Sequence, residues 1–206
     1  MFKLDRRALL AGAAALMLAP VYAAANLEPN AAAPSFAAVD TAGATVDLAA
    51  LKGRTVVLEW TNHQCPFVAK HYRSGNMQAL QKDAAAADVT WISIISSAPG
   101  RQGFVEALEA DAIAEEQGAI RAHTVLDPTG EIGKLYGARV TPQMVVIDPA
   151  GEIAYMGGID DIPTADMADI PRATNYVRAA LDALAAGRTP EVQSARPYGC
   201  SIKYAS

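Results

Sequence analysis

Two cysteines carry the most reactive chemistry this chain can offer, and the first sits in a telling place. Cys65 lies in EWTNHQCPFVAKHY, residues 59–72, between a polar turn and a stretch that reads as a helix opening at Pro66. Proline is favoured at the first helical position, so Cys65 is expected near the N-cap, where unpaired backbone N–H groups and the helix dipole favour an anion. The thiolate, not the thiol, attacks disulfides and peroxides, and a free cysteine with a pKa of about 8.5 is mostly protonated at neutral pH. The helix end is one means of lowering that value. His63, two residues earlier, could add positive charge or relay a proton, and Lys70 and His71 are expected near the same helical end. Each of these residues also has a plainer role. Cys65 could be a small buried hydrophobe, His63 could hydrogen-bond the turn, and Trp60 could close a core strand rather than wall a reactive site.

The second cysteine, Cys200, follows 135 positions later in the tail RTPEVQSARPYGCSIKYAS, residues 188–206. A tail can fold back over a reactive loop, so Cys200 could resolve an adduct on Cys65. Two alternatives stand beside this: a permanent disulfide stapling the tail to the domain, or an unrelated free thiol.

The elements that must position these residues are legible from hydrophobic patterning. Residues 36–60 contain a turn at Thr41–Gly43 between short extended runs, a second turn at Lys52-Gly53, and then a strand from Thr55 to Trp60. The consecutive Val56, Val57 and Leu58 imply burial on both faces. A helix interrupted at Ser74-Gly75-Asn76 follows Cys65, and VTWISIIS (residues 89–96) reads as a second buried strand. A strand, helix and strand in that order make a right-handed crossover between parallel strands. Further helices are expected over residues 103–117, 131–138 and about 172–186, and residues 144–158 read as a hairpin around the Pro149–Gly151 turn. The whole predicts an α/β fold with a central mixed sheet flanked by helices and an N-terminal β-hairpin extension. The acidic run IDDIPTADMAD (159–169) reads as a solvated loop, with selection of partners by charge as its alternative.

Composition narrows the classes. The chain has 206 residues, is 51% hydrophobic and carries a net charge of −5, as expected for one globular domain with extensions. Lys3, Arg6 and Arg7 precede the apolar run 8–19, followed by Pro20 and small residues, which reads as a signal peptide over residues 1–25. The 12-residue run is well short of the roughly 20 residues needed to span a bilayer, so no stable membrane span is expected after cleavage. Export to a bacterial periplasm is the expectation, by the Sec route or, from Arg6-Arg7, the twin-arginine route. Losing Lys3, Arg6, Arg7 and Asp5 with the signal moves the net charge from −5 to −7 and leaves no basic stripe to attract nucleic acid. An oxidising compartment permits a disulfide, yet two cysteines are too few for a disulfide scaffold. Residues 26–186 are therefore read as the domain and 187–206 as a tail carrying Cys200.

From Ala33 to Tyr204 the chain resembles the thioredoxin superfamily in its redoxin branch, and most nearly the exported peroxiredoxin-like proteins of AhpC/TSA type. The resemblance rests on APSFAAVDTAGATVDLAALKGRTVVLEW, WTNHQCPFVAKHY, YGARVTPQMVVIDPAGEIAYMGGIDD and PYGCSIKY. It implies a thioredoxin-like fold. It also implies that Pro142, after Thr141, is the cis-proline that places backbone beside the reactive sulfur, where an extended substrate can pair. Two departures are visible. Val68 stands where thioredoxins carry the second cysteine of C-x-x-C, and Asn62 and Pro142 stand where peroxiredoxins carry Thr or Ser and an arginine.

The leading expectation is an exported thiol-disulfide oxidoreductase with Cys65 as nucleophile and Cys200 as resolving cysteine. Trp60, Asn62, His63, Pro66, Thr141 and Pro142 would shape its site. Its partners would be a disulfide-bearing protein or small-molecule disulfide and an electron-donor thiol protein, with no cofactor and no metal. Three alternatives are kept: a peroxidase reducing hydroperoxides, a Cu(I) chaperone using Cys65 with His63, His71, His123 or Met144, and a non-catalytic module binding a partner through the Pro142 face.

Overall fold

The computed structural model describes residues 27–205. Its centre is a five-stranded mixed sheet in the order β5-β4-β3-β7-β8. The strands are β3 (Val56–Trp60), β4 (Thr90–Ile95), β5 (His123–Leu126), β7 (Gln143–Ile147) and β8 (Ile153–Gly157). β3, β4 and β5 run parallel, whereas β7 is antiparallel to β3 and β8 to β7. A hairpin of β1 (Ala37–Val39) and β2 (Thr45–Asp47) precedes the sheet, its turn set by Asp40, whose Oδ1 accepts from the amides of Ala42 and Ala44 at 3.0 and 2.8 Å. The helices are α1 (Pro66–Arg73), α2 (Asn76–Ala86), α3 (Ala107–Glu116), α4 (Glu131–Leu135) and α5 (Tyr176–Ala185). None of the described helices is long and apolar enough to cross a membrane.

Alternation along β3 sets the two faces of the core. Val56, Leu58 and Trp60 join one cluster with Phe36, Ile94 and Tyr136, while Val57 joins the other with Cys65, Val68, Tyr72 and Trp91. Glu59, on the same face as Val57, is wholly buried and accepts hydrogen bonds from Tyr72 (3.0 Å), Trp91 (2.8 Å) and Ser93 (3.0 Å). Burial without such partners would be costly.

Three expectations need correction. The 103–117 helix starts four residues late because the turn at Arg101–Gly103 is followed by irregular backbone over 104–106, with Glu106 as the N-cap. The last helix starts at Tyr176, capped by the Asn175 side chain accepting from the Arg178 amide at 2.9 Å, with a separate 3-10 turn over Met167–Arg172 before it. β5 was not expected at all: HTVL is too short and too mixed to stand out, and its strand state comes from pairing with β4. Conversely, the interruption between α1 and α2 falls at Ser74-Gly75, with Gly75 at φ 76°, where a side chain would be strained. The signal-peptide reading falls on residues 1–25, outside the described residues.

Candidate active site

Cys65 is the N-cap residue of α1, extended at φ −84° and ψ 123°, with Pro66 as the first helical residue. The polar turn before it is closed by Asn62, whose Oδ1 accepts from the Gln64 amide at 2.9 Å and whose carbonyl accepts from the Cys65 amide at 3.0 Å. Asn62 is thus buried as a scaffold of the turn. The Cys65 thiol is itself inaccessible, at 0% exposure, and its Sγ donates to the Thr141 carbonyl at 3.1 Å. The Thr141–Pro142 peptide bond is cis.

β6 (Val140–Thr141) leads into that bond, and its partner is the tail. β9 (Cys200–Ser201) pairs antiparallel with β6, placing Cys200 opposite Thr141 and Ser201 opposite Val140. Gly199 packs so tightly on this edge that a Cβ there would lie 2.0 Å from the Thr141 carbonyl oxygen, at φ +135°. The outcome is that Cys200, 135 positions from Cys65 in sequence, lies opposite the residue whose carbonyl accepts from Cys65 Sγ and packs against the same core cluster as Cys65. Both are free thiols.

Electrostatics separates the pair. Burial pushes the Cys65 thiol up, but the neighbouring Cys200 thiol, the backbone amides of Val68 and Cys200 and the Thr141 hydroxyl favour its thiolate and outweigh that, leaving Cys65 below its ordinary value of 9.0. The Thr141 hydroxyl is buried and has no hydrogen-bond partner, which leaves it free to donate to a thiolate on Cys65. Cys200 is pushed up to about 12 by burial and by the nearby Cys65. Of the two sulfurs, Cys65 is the one that ionises first.

The remaining residues fall into two groups. His63 and Pro66 line a cleft of about 330 Å³ with Gln64, Cys65, Arg73 and Met167. Trp60 lies in the opposite core cluster from Cys65, its ring 5.5 Å from that of Tyr136. Lys70 and His71 are drawn away from the sulfur. Lys70 Nζ, itself buried, pairs with the buried Asp160 Oδ2 at 3.1 Å and donates to the Ile162 carbonyl at 2.9 Å. His71 contacts the Tyr198 hydroxyl at 3.4 Å and Asn76 at 2.8 Å, and Tyr198 donates to Asp160. Asp160 is therefore a buried ion-pair partner and not part of a solvated acidic loop. His123 pairs with Asp40 at 2.7 Å, and the described residues contain no group of three or more His, Cys, Asp or Glu that could hold a metal ion. The sequence reading missed Asp160 and Tyr198; the only signal was that Tyr198 stands two residues before Cys200 in an otherwise featureless tail.

Residues 29–156 match the profile of the AhpC/TSA family. The chain belongs to the AhpC/TSA family. Among solved structures, an uncharacterized conserved protein from Geobacillus kaustophilus is 30% identical with a TM-score of 0.71, covering 87% of this chain and 93% of its own. A putative protein disulfide isomerase from Bacteroides thetaiotaomicron is 26% identical (TM-score 0.51, covering 64% of this chain and 79% of that one). A putative thiol:disulfide interchange protein DsbE from Chlorobium tepidum, at 21% identity and TM-score 0.52 over 64% and 85% of the two chains, shares the fold. No curated protein matches. This AhpC/TSA chain thus has the thioredoxin-like fold, and family and fold together support a thiol oxidoreductase activity.

Burial of His71 has a measurable consequence. Its pKa is lowered to about 4, first by burial and further by Lys70, against an opposing pull from Asp160. An unfolded histidine takes up its proton near pH 6.5, but the folded one resists until about pH 4. Stability is therefore fully present above pH 6.5 and falls between there and about pH 4, by on the order of 3 kcal/mol. Urea unfolding across this range should show the fall, and His71→Gln should flatten it.

Proposed function

We propose that the protein is an exported thiol-disulfide oxidoreductase in which Cys65 is the nucleophile and Cys200 the resolving cysteine. The observation that carries this reading is the convergence of the two cysteines on Thr141, which pairs with Cys200 in the β6–β9 ladder while its carbonyl accepts from Cys65 Sγ at 3.1 Å, with the lower pKa on the cysteine at the helix N-terminus. The Cys65 thiolate attacks a disulfide, forming a Cys65–substrate bond and releasing one substrate sulfur as thiolate. Cys200 gives up its proton and attacks Cys65 Sγ, so a Cys65–Cys200 disulfide forms and the second substrate thiolate leaves. Two electrons pass from the cysteine pair to the substrate, and an electron-donor dithiol protein restores the pair. Cys200 here takes the part that a C-x-x-C partner would play, since Val68 occupies that place. Thr141 and Pro142 form the backbone beside the sulfur, and Asn62, His63 and Pro66 shape the turn and cleft. The substrate is a disulfide-bearing protein or a small disulfide, and the signal-like residues 1–25 support export to a periplasm.

Cys200→Ser tests the division of labour. The variant is expected to stop at the first step and accumulate a mixed disulfide on Cys65, visible by mass spectrometry as a reducible adduct, while turnover falls by at least about 100-fold. Full turnover without an adduct would reject Cys200 as the resolving residue.

The family match favours a second reading, reduction of hydroperoxides with Cys65 oxidised to a sulfenic acid that Cys200 condenses with, releasing water. Asn62 and Pro142 at the places of the peroxide-activating Thr or Ser and Arg weigh against it. Stopped-flow oxidation of Cys65 by hydrogen peroxide no faster than that of free cysteine excludes it; rapid oxidation ending in a Cys65–Cys200 disulfide puts it first.

A further inference from the structure

A substrate sulfur can reach Cys65 only if something moves. The thiol has no exposure, and the backbone edge beside it, Val140–Thr141, is already paired with the chain's own Cys200 and Ser201. We propose that the C-terminal strand is a displaceable internal occupant of the edge on which an extended, disulfide-bearing peptide docks, and that Lys70, Asp160 and Tyr198 are the positioning residues that latch it. This rests on the disulfide-exchange reading and names its substrate class as an unfolded or extended protein segment.

The latch is built at one end of the strand. Tyr198 donates to Asp160 and contacts His71 at 3.4 Å, its ring lies edge-on to Phe67 at 5.8 Å, and Lys70 Nζ stands 5.7 Å from its centre. Three of these partners, Phe67, Lys70 and His71, lie on α1, the helix whose N-cap is Cys65. The far end is held by three bonds: Ile202 donates to the Arg139 carbonyl at 2.9 Å, the Ala98 amide donates to the Lys203 carbonyl at 2.8 Å, and the Tyr204 hydroxyl donates to the Ala138 carbonyl at 2.8 Å. Between the two ends the strand makes only a two-residue ladder, so releasing it breaks few backbone bonds while the five-stranded sheet stays whole.

The same placement gives the strand its role in turnover. A substrate peptide that displaces β9 carries Cys200 away from Cys65 while the mixed disulfide forms. When the tail returns, it competes for the Thr141 edge and delivers the Cys200 thiolate to Cys65 Sγ. The new disulfide and the re-formed ladder then expel the substrate chain as a thiolate. Latch closure and resolution are one event, with sulfur and electron balance as given above.

The test reads access to Cys65, which does not depend on any exchange activity. In full-length Cys200→Ser, maleimide labelling of Cys65 should run at least about 100-fold slower than that of free cysteine, since only the open fraction reacts. Tyr198→Phe, which keeps the ring but removes both hydroxyl contacts, should raise the rate about tenfold with little change in the urea midpoint. Gly199→Val, which cannot fit against the Thr141 carbonyl, should raise it further without touching the latch. In the unaltered protein the Ile202 amide should exchange with deuterium far faster than the amides of β3. Labelling of Cys65 as fast as free cysteine in the parent, no acceleration in either variant, or Ile202 exchanging only together with β3, overturns the proposal. Accelerated labelling in the variants, with no reduction of a protein disulfide such as those of insulin by the unaltered protein, leaves the latch standing and removes the exchange reading instead.

Discussion

Cys65→Ser yields a folded protein that no longer reduces a disulfide substrate, with a loss of at least about 10³-fold. A serine hydroxyl remains protonated at neutral pH and is a poor nucleophile toward sulfur, so no donor at the helix end can compensate. The fold tolerates the change because the hydroxyl inherits the Thr141 carbonyl, which accepts from Sγ at 3.1 Å. The expected signature is therefore an activity loss with a urea midpoint close to that of the parent, measured on the same preparation. An active Cys65→Ser protein would end the thiol mechanism altogether. Cys200→Ala gives the complementary readout: it removes a donor to the Cys65 thiolate, so the pH midpoint for Cys65 labelling moves upward, whereas Cys200→Ser retains a donor and moves it less.

The largest stability effect is expected at Asp160. Its carboxylate and the Lys70 ammonium are 2% and 0% exposed and 3.1 Å apart, and Asp160 also accepts from Tyr198 and from the Ile162 amide at 3.1 Å. Asp160→Ala leaves Lys70 Nζ buried with the Ile162 carbonyl as its partner. Removing one member of a buried ion pair typically costs about 3–5 kcal/mol, because the other charge stays desolvated and uncompensated. For a domain of this size that lowers the thermal midpoint by roughly 10 °C. The double variant Lys70→Met/Asp160→Leu removes both charges and should recover most of the loss, since apolar replacement of a buried pair is often close to neutral. Calorimetry on the two variants separates a desolvation penalty from simple loss of packing: equal destabilisation in both would show that shape, not charge, holds this region together.

The sequence by itself determined much of this. Cys65 before Pro66 announced a helix N-terminus, because proline at N1 costs no hydrogen bond. The runs at 56–60 and 89–96 announced buried parallel strands, and the turns at Thr41–Gly43, Ser74–Asn76 and Pro149–Gly151 followed from the local demands of glycine, proline and aspartate. These are short-range properties, set by a residue and its near neighbours in the chain. β5 was invisible for the opposite reason: His123–Leu126 has little pattern of its own and becomes a strand only through its ladder with β4. The acidic run at 159–169 read as a solvated face until the fold placed Lys70, 90 residues earlier, against Asp160. The meeting of Cys65 with Cys200 belongs to the same class. Spacing allowed a resolving pair, a staple or two unrelated thiols, and only the antiparallel register of Thr141 with Cys200 put Cys200 beside the residue whose carbonyl accepts from Cys65 Sγ. Contacts between distant parts of the chain depend on how the core closes, and no local propensity encodes that.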